Sequence, residues 1–120
     1  MNSHPALGTH ILLDCFGVQS GSLDDPAALV EMLERAATAA NATILASHQH
    51  RFEPHGVSAL CILAESHVSI HTWPEQHCAT VDIYTCGDVA KPTAAAELIL
   101  FELAPTQHQL VTIERGSSTR

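Results

Sequence analysis

Between residues 62 and 87 the chain reads ILAESHVSIHTWPEQHCATVDIYTCG, a β-branched and aromatic segment interrupted by Glu65, Ser66, His67, Ser69 and His71. Buried strands seldom carry so many polar groups unless each is hydrogen-bonded or reactive. One chemistry open to them is metal binding. His67 and His71 lie four apart, His48 and His50 lie upstream, and His77, Cys78 and Cys86 lie downstream. Histidines four apart share a face on a helix, whereas this composition favours strand. Positions 67 and 71 of a strand also point one way, but the remaining ligands would have to converge through the tertiary fold. No recognised ligand spacing supports that. A second chemistry is a conventional nucleophile, Ser66 or Cys86, activated by His71 with a carboxylate orienting the base. The chain has no GxSxG elbow, and a serine following a glutamate in an apolar run is an unusual seat for acyl transfer.

A third chemistry turns Ser66 on the chain itself. Its hydroxyl adds to the Glu65 carbonyl and converts the amide to an ester. Elimination across Ser66 leaves dehydroalanine, which hydrolyses to ammonia and a pyruvoyl group, and the chain is cut between Glu65 and Ser66. Such a reaction needs a strained or polarised peptide, donors for the oxyanion, and a base for the Cα proton. Histidine suits the last task at neutral pH. Composition alone does not choose among the three.

Whichever chemistry operates, the surrounding elements must position it. HILLDCFGV (10–18) reads as a strand, and Asp24 or Asp25 can cap a helix starting at Pro26 and stopping at Asn41. Further strands are expected over 42–53, 57–65, 67–73, 78–86 and 108–115, with a second amphipathic helix over 91–104. This order predicts an α+β fold, a two-layer α/β sandwich with a mainly antiparallel sheet and two helices on one face. Residues 66 and 71 differ by five positions, so in an unbroken strand they face opposite sides. For the two to cooperate, residue 66 must sit at a kink or at a chain end.

The 120 residues amount to one domain, and a hydrophobic fraction of 46% suits a globular chain. A net charge of −8 argues against nonspecific binding to nucleic acid or to an anionic membrane. No stretch is apolar for long enough to span a bilayer, and the N-terminus lacks the positive region of a secretory signal. A cytoplasmic location is expected, with Cys15, Cys61, Cys78 and Cys86 all reduced thiols whose default role is buried packing.

AESHVSIHTWPE and DIYTCG closely resemble the signature of the prokaryotic S-adenosylmethionine decarboxylase proenzymes. The similarity extends from GTHILLDCFG through HRFEPHGVSAL to VTIERG, nearly the whole chain. The resemblance implies self-cleavage at Glu65–Ser66 into chains 1–65 and 66–120, with Ser66 becoming a pyruvoyl cofactor. It implies that His71 removes the Ser66 Cα proton during processing. Cys86 then returns a proton to the substrate carbon after CO2 leaves, and Ser58 assists at the processing site. Phe52, Trp73 and Glu75 fall where the family contacts substrate, aromatic faces being suited to a sulfonium. A pyruvoyl ketone forms a Schiff base with the substrate amine and draws off the charge. A pyridoxal enzyme would need a lysine, and the only one, Lys91, precedes Pro92 at a helix start. A homodimer of cleaved protomers is implied as well, with sites near the interface and a product that donates aminopropyl groups for spermidine synthesis; no metal is expected, because no ligand spacing supports one.

Some positions depart from the family pattern: His55, Ala59, His77, Cys78 and Thr80. They leave open a relative acting on ornithine or arginine, or an unprocessed nucleoside-binding homologue. His48, His50, His55, His67 and His77 are expected to be surface or hydrogen-bonded structural residues without a catalytic part.

Overall fold

The computed structural model describes residues 5–87 and 89–118; residues 1–4, on which the N-terminal reading partly rests, lie outside them. Nine-residue strand β1 (Gly8–Phe16) is followed by helix α1 (Pro26–Ala39), then by β2 (Ile44–Arg51), β3 (Val57–Leu63), β4 (Ser66–Trp73) and β5 (Cys78–Cys86). Helix α2 (Pro92–Leu103) and strand β6 (Gln107–Arg115) complete the chain. The elements fall where the apolar periodicity predicts them. Asp25 is the residue that caps α1, accepting from the Ala28 N–H at 3.2 Å, and Asn41 closes it with a φ of 62°.

The six strands form one antiparallel sheet in the order β2-β3-β4-β5-β1-β6. Alternation sorts each strand into two faces. One carries Ile11, Leu13, Cys15, Val57, Ala59, Cys61, Val68, Ile70, Val81 and Ile83, all buried. Against it pack Leu29, Met32, Leu33 and Ala36 of α1 and Ala95, Ala96 and Ile99 of α2. Small alanines let both helices approach closely, and Arg35 clamps Glu102 across them with two hydrogen bonds. The expected two-layer α+β sandwich, with both helices on one face, is what forms.

Among the described residues no helix covers the second face. Across its middle run His48, Leu60, Ser69, Asp82, Leu12 and Val111, one from each strand in register. The adjacent rows hold His50, Ser58, His71 and Thr80 on one side, and Ile62, His67, Tyr84 and His10 on the other. Every polar residue that drew attention in β3, β4 and β5 therefore belongs to the uncovered face or to its rims.

Candidate active site

β3 and β4 are joined by a two-residue turn, Ala64–Glu65, with Leu63 paired to Ser66. Tight hairpin turns require positive φ, normally supplied by glycine or asparagine. Neither residue is present, and the positive torsion falls on Ser66, whose φ is 141°. L residues rarely adopt that region, so the backbone at Ser66 is strained. The kink expected at residue 66 is there.

Its surroundings hold it in place. The Glu65 carboxylate accepts the Thr43 N–H at 2.9 Å, and the Ala64 N–H donates to the Thr43 carbonyl at 2.9 Å. The Glu65 carbonyl, which belongs to the Glu65–Ser66 peptide, accepts two hydrogen bonds from one residue. The Cys86 N–H donates at 2.9 Å and the Cys86 thiol at 3.2 Å. Two donors on one carbonyl polarise it toward nucleophilic addition and suit an oxyanion. The Ser66 hydroxyl lies 3.4 Å from Nδ1 of His67.

A second cluster occupies the other end of β4. Ser58 and His71 are register partners, and Ser58 Oγ meets His71 Nδ1 at 2.8 Å. They line a cleft of about 320 Å³ with Phe52, His55, Trp73 and Glu75. Glu75 Oε1 is 3.3 Å from His55 Nε2. Two polar anchors set this end. Buried Thr72 donates to the Leu23 carbonyl at 2.7 Å and accepts the Val57 N–H at 2.8 Å, fixing the start of β3 just before Ser58. Asp24 accepts from the Gly56 N–H at 2.9 Å and from Arg51 at 2.8 Å. Those bonds, the Gly56 N–H foremost and Arg51 next, hold its carboxyl below the ordinary range. Gly56 has a φ of 106°, and a Cβ there would meet the Thr72 carbonyl oxygen at 3.2 Å, so only glycine closes the 52–56 loop comfortably.

The eight residues implied by resemblance thus gather into two groups. Glu65, Ser66 and Cys86 stand at one end of β4; Ser58, His71, Phe52, Trp73 and Glu75 stand at the other. Ser66 and His71 are five strand steps apart, ~16 Å at the usual rise. Within one copy they do not meet. The histidines of the metal chemistry are also dispersed: His48, His50, His67 and His71 line one shallow depression, but among the described residues no three potential ligands converge. Cys15 is pushed up to about 11 by burial and then by Asp14, and burial likewise raises Cys61. Both are inert packing thiols, whereas the Cys86 side chain is exposed.

A family model described as S-adenosylmethionine decarboxylase matches residues 9–116. The chain belongs to the S-adenosylmethionine decarboxylase family. It is 46% identical over 110 residues to the S-adenosylmethionine decarboxylase proenzyme of Aquifex aeolicus (strain VF5), covering 92% of this chain and 82% of that one. Against the proenzyme of Methanococcus maripaludis it is 41% identical over 110 residues, covering 92% and 90%. The crystal structure of the adenosylmethionine decarboxylase from Aquifex aeolicus VF5 superposes with a TM-score of 0.88 at 44% identity, covering 94% of this chain and 93% of that one. The AdoMetDC-delta26 monomer of Trypanosoma brucei shares the fold alone, with a TM-score of 0.64 at 15% identity over 87% of this chain and 45% of that one. Membership of the decarboxylase family, expected from ESHVSIHTWPE and TCG, is therefore established.

Sequence alone assigns three of these residues no part in the site. Thr43 carries no local signature and Asp24 reads only as a candidate helix cap, because their partners lie 22 and 32 positions away. His67 reads as a candidate metal ligand or a structural histidine, although it follows Ser66 directly.

Proposed function

We propose that the chain is a proenzyme that cleaves itself between Glu65 and Ser66 and then decarboxylates S-adenosylmethionine. The observation that carries this is the Glu65 carbonyl under both the N–H and the thiol of Cys86, on the peptide preceding a strained serine. Addition of Ser66 Oγ to that carbonyl moves negative charge onto an oxygen already facing two donors. The strain leaves with the amide, since the torsion involved ceases to exist once the peptide is cut.

The residues present fit the pyruvoyl group the family implies: a serine at the junction, a polarised carbonyl before it, and a thiol beside it. Once formed, that group supplies a ketone sink for the electrons released with CO2. Cys86, held beside the junction, is suited to return a proton to the substrate carbon. Phe52 and Trp73 are both half-exposed and offer aromatic faces to a sulfonium. The Glu75 carboxylate can accept ribose hydroxyls while His55 holds its other side. The product is the aminopropyl donor for spermidine synthesis.

Ser58 and His71 complete the site only from a second copy. The uncovered face carries Leu12, Leu60, Ile62 and Val111 among its polar residues, a surface fit for sheet-on-sheet packing at about 10 Å. A two-fold axis near Ser69, midway along β4, sets His71 of each copy over Ser66 of the other. The working unit on this reading is a homodimer of cleaved protomers. All four thiols are free, which suits a reducing compartment, and a cytoplasmic location belongs to the same proposal.

Intact mass of the purified chain is expected to give fragments 1–65 and 66–120, the second blocked by a ketone rather than an amine. CO2 release is expected with S-adenosylmethionine and not with ornithine or arginine. An active preparation that keeps an ordinary serine at residue 66 refutes the proposal; release from an amino acid instead moves it to another substrate.

A further inference from the structure

His67 has the strongest unused chemistry in the molecule. Its Nδ1 is the ring nitrogen nearest the Ser66 hydroxyl, at 3.4 Å, a separation typical of catalytic pairs before the reacting groups close up. The ring is fixed from several sides. It stands edge-on to His10 of β1 with centroids 6.5 Å apart, and tilted against Tyr84 of β5 at 6.1 Å. Ile62 of β3 is its register partner on the other flank.

Burial first, and then the groups behind it, favour its neutral form. Arg115 of β6 donates to His10 Nδ1 at 3.0 Å, and a guanidinium can only donate. His10 therefore carries its proton on Nε2 and gives it to Asp82 Oδ1 of β5 at 3.0 Å. Arg115 also lies over the Tyr84 ring, 5.8 Å from its centroid. Asp82, the acid that favours a charged His67, is thus engaged by His10. Burial, and next the prospect of a second positive charge on His10, lower the His67 pKa; Asp82 opposes them less strongly. In the tautomer that carries its proton on Nε2, a neutral imidazole turns the Nδ1 lone pair toward the serine hydroxyl, as a base requires.

We infer that His67 is the general base of the first step of self-cleavage, taking the hydroxyl proton of Ser66 as Oγ attacks the Glu65 carbonyl carbon. This rests on the processing proposed above. As the O–C bond forms, the carbonyl electrons move onto the oxygen held by Cys86. When the C–N bond breaks, the imidazolium returns its proton to the departing nitrogen. The products are an ester and a free α-amine on residue 66, and His67 ends neutral. The two histidines then divide the reaction: His67 makes the ester, and His71, ~16 Å away in the same copy, acts afterwards on the Cα proton from the partner.

The test follows the full chain after cell-free translation, scoring intact protein and fragments over time, with and without hydroxylamine, which cuts the ester but leaves the amide. General-base loss typically slows a step by about 10²–10⁴-fold, so His67→Ala and His67→Gln are expected to cleave at least about a hundredfold slower. The intact chain should resist hydroxylamine, and added imidazole should partly restore the alanine variant. His71→Ala should instead accumulate hydroxylamine-sensitive chain. The wild-type rate should be flat at neutral pH and fall only below the ordinary imidazole range of about 6.5. Cleavage of folded His67→Gln within about threefold of wild type overturns the inference, as does a hydroxylamine-sensitive intermediate in either His67 variant. A wild-type chain that never cleaves overturns the processing proposal itself.

Discussion

Replacing Ser66 by glycine and by alanine isolates the strain at the junction. Both variants lack the hydroxyl and stay full-length, so neither relieves strain by cleaving. Alanine must keep the φ of 141° seen for Ser66, at a cost of about 1–3 kcal/mol for an L residue. Glycine removes that cost but gives back about 0.5–1 kcal/mol in backbone entropy. At the middle of both ranges the glycine variant should be more stable by about 1 kcal/mol, or ~4 °C in Tm at roughly 4 °C per kcal/mol for a chain of this size. Urea unfolding and calorimetry at matched protein concentration measure it, the matching being essential if the unit is a dimer. Released in the transition state, strain of 1–3 kcal/mol accelerates the first step by roughly 5- to 150-fold. A glycine variant equal to or less stable than the alanine variant refutes the reasoning: the turn would then be relaxed at residue 66, and polarisation by Cys86 would have to account for the reactivity alone.

Cys86→Ala retains the backbone N–H that reaches the Glu65 carbonyl and loses only the thiol donor, which is weak. Processing on a timed gel should slow by about tenfold, ~1.4 kcal/mol, while turnover of the cleaved enzyme collapses; complete loss of processing would show that the thiol, not the N–H, governs the first step. Co-expression of Ser66→Ala with His71→Ala should restore cleavage of the His71→Ala chain. In the mixed dimer one junction has both an intact Ser66 and an intact His71 from the other copy. No rescue, with mixed dimers demonstrated by mass, would mean that each copy works alone.

Much of this was legible in the sequence because it is local. Strand alternation and helical periodicity gave the element boundaries, and Pro26 after Asp25 marked the first helix. The parity of residues 66 and 71 required a kink at the serine, and the backbone has one. The proposed junction comes from the resemblance of ESHVSIHTWPE to the family signature, since composition alone does not choose that chemistry. Parity could not show that the two groups lie at opposite ends of one strand, since that depends on where the hairpin turns. Nor could it show Cys86 N–H on the Glu65 carbonyl, a backbone contact set by the register of β4 and β5 rather than by side-chain identity. His67 was set among the structural histidines because nothing in the sequence tells which neighbours will bury it. Its surroundings are set by His10 of β1 and Asp82 of β5, with Arg115 of β6 acting through His10.

On the processing proposed above, the sheet order explains how the two fragments would stay assembled. Residues 1–65 contribute β1, β2, β3 and α1, and residues 66–120 contribute β4, β5, β6 and α2. Along the sheet these interleave: β2 and β3 from the first part, β4 and β5 from the second, β1 from the first again, and β6 from the second. β1 is therefore clasped on both sides by strands of the other fragment, with nine register pairs to each. Arg35 of α1 grips Glu102 of α2 over the opposite face. Severing Glu65–Ser66 removes only a two-residue turn, while β3 keeps β2 and β4 keeps β5. Separating the fragments would mean breaking three strand interfaces and dividing the core beneath both helices. The bond whose consumption is proposed thus lies where the chain is least needed to hold the sheet together.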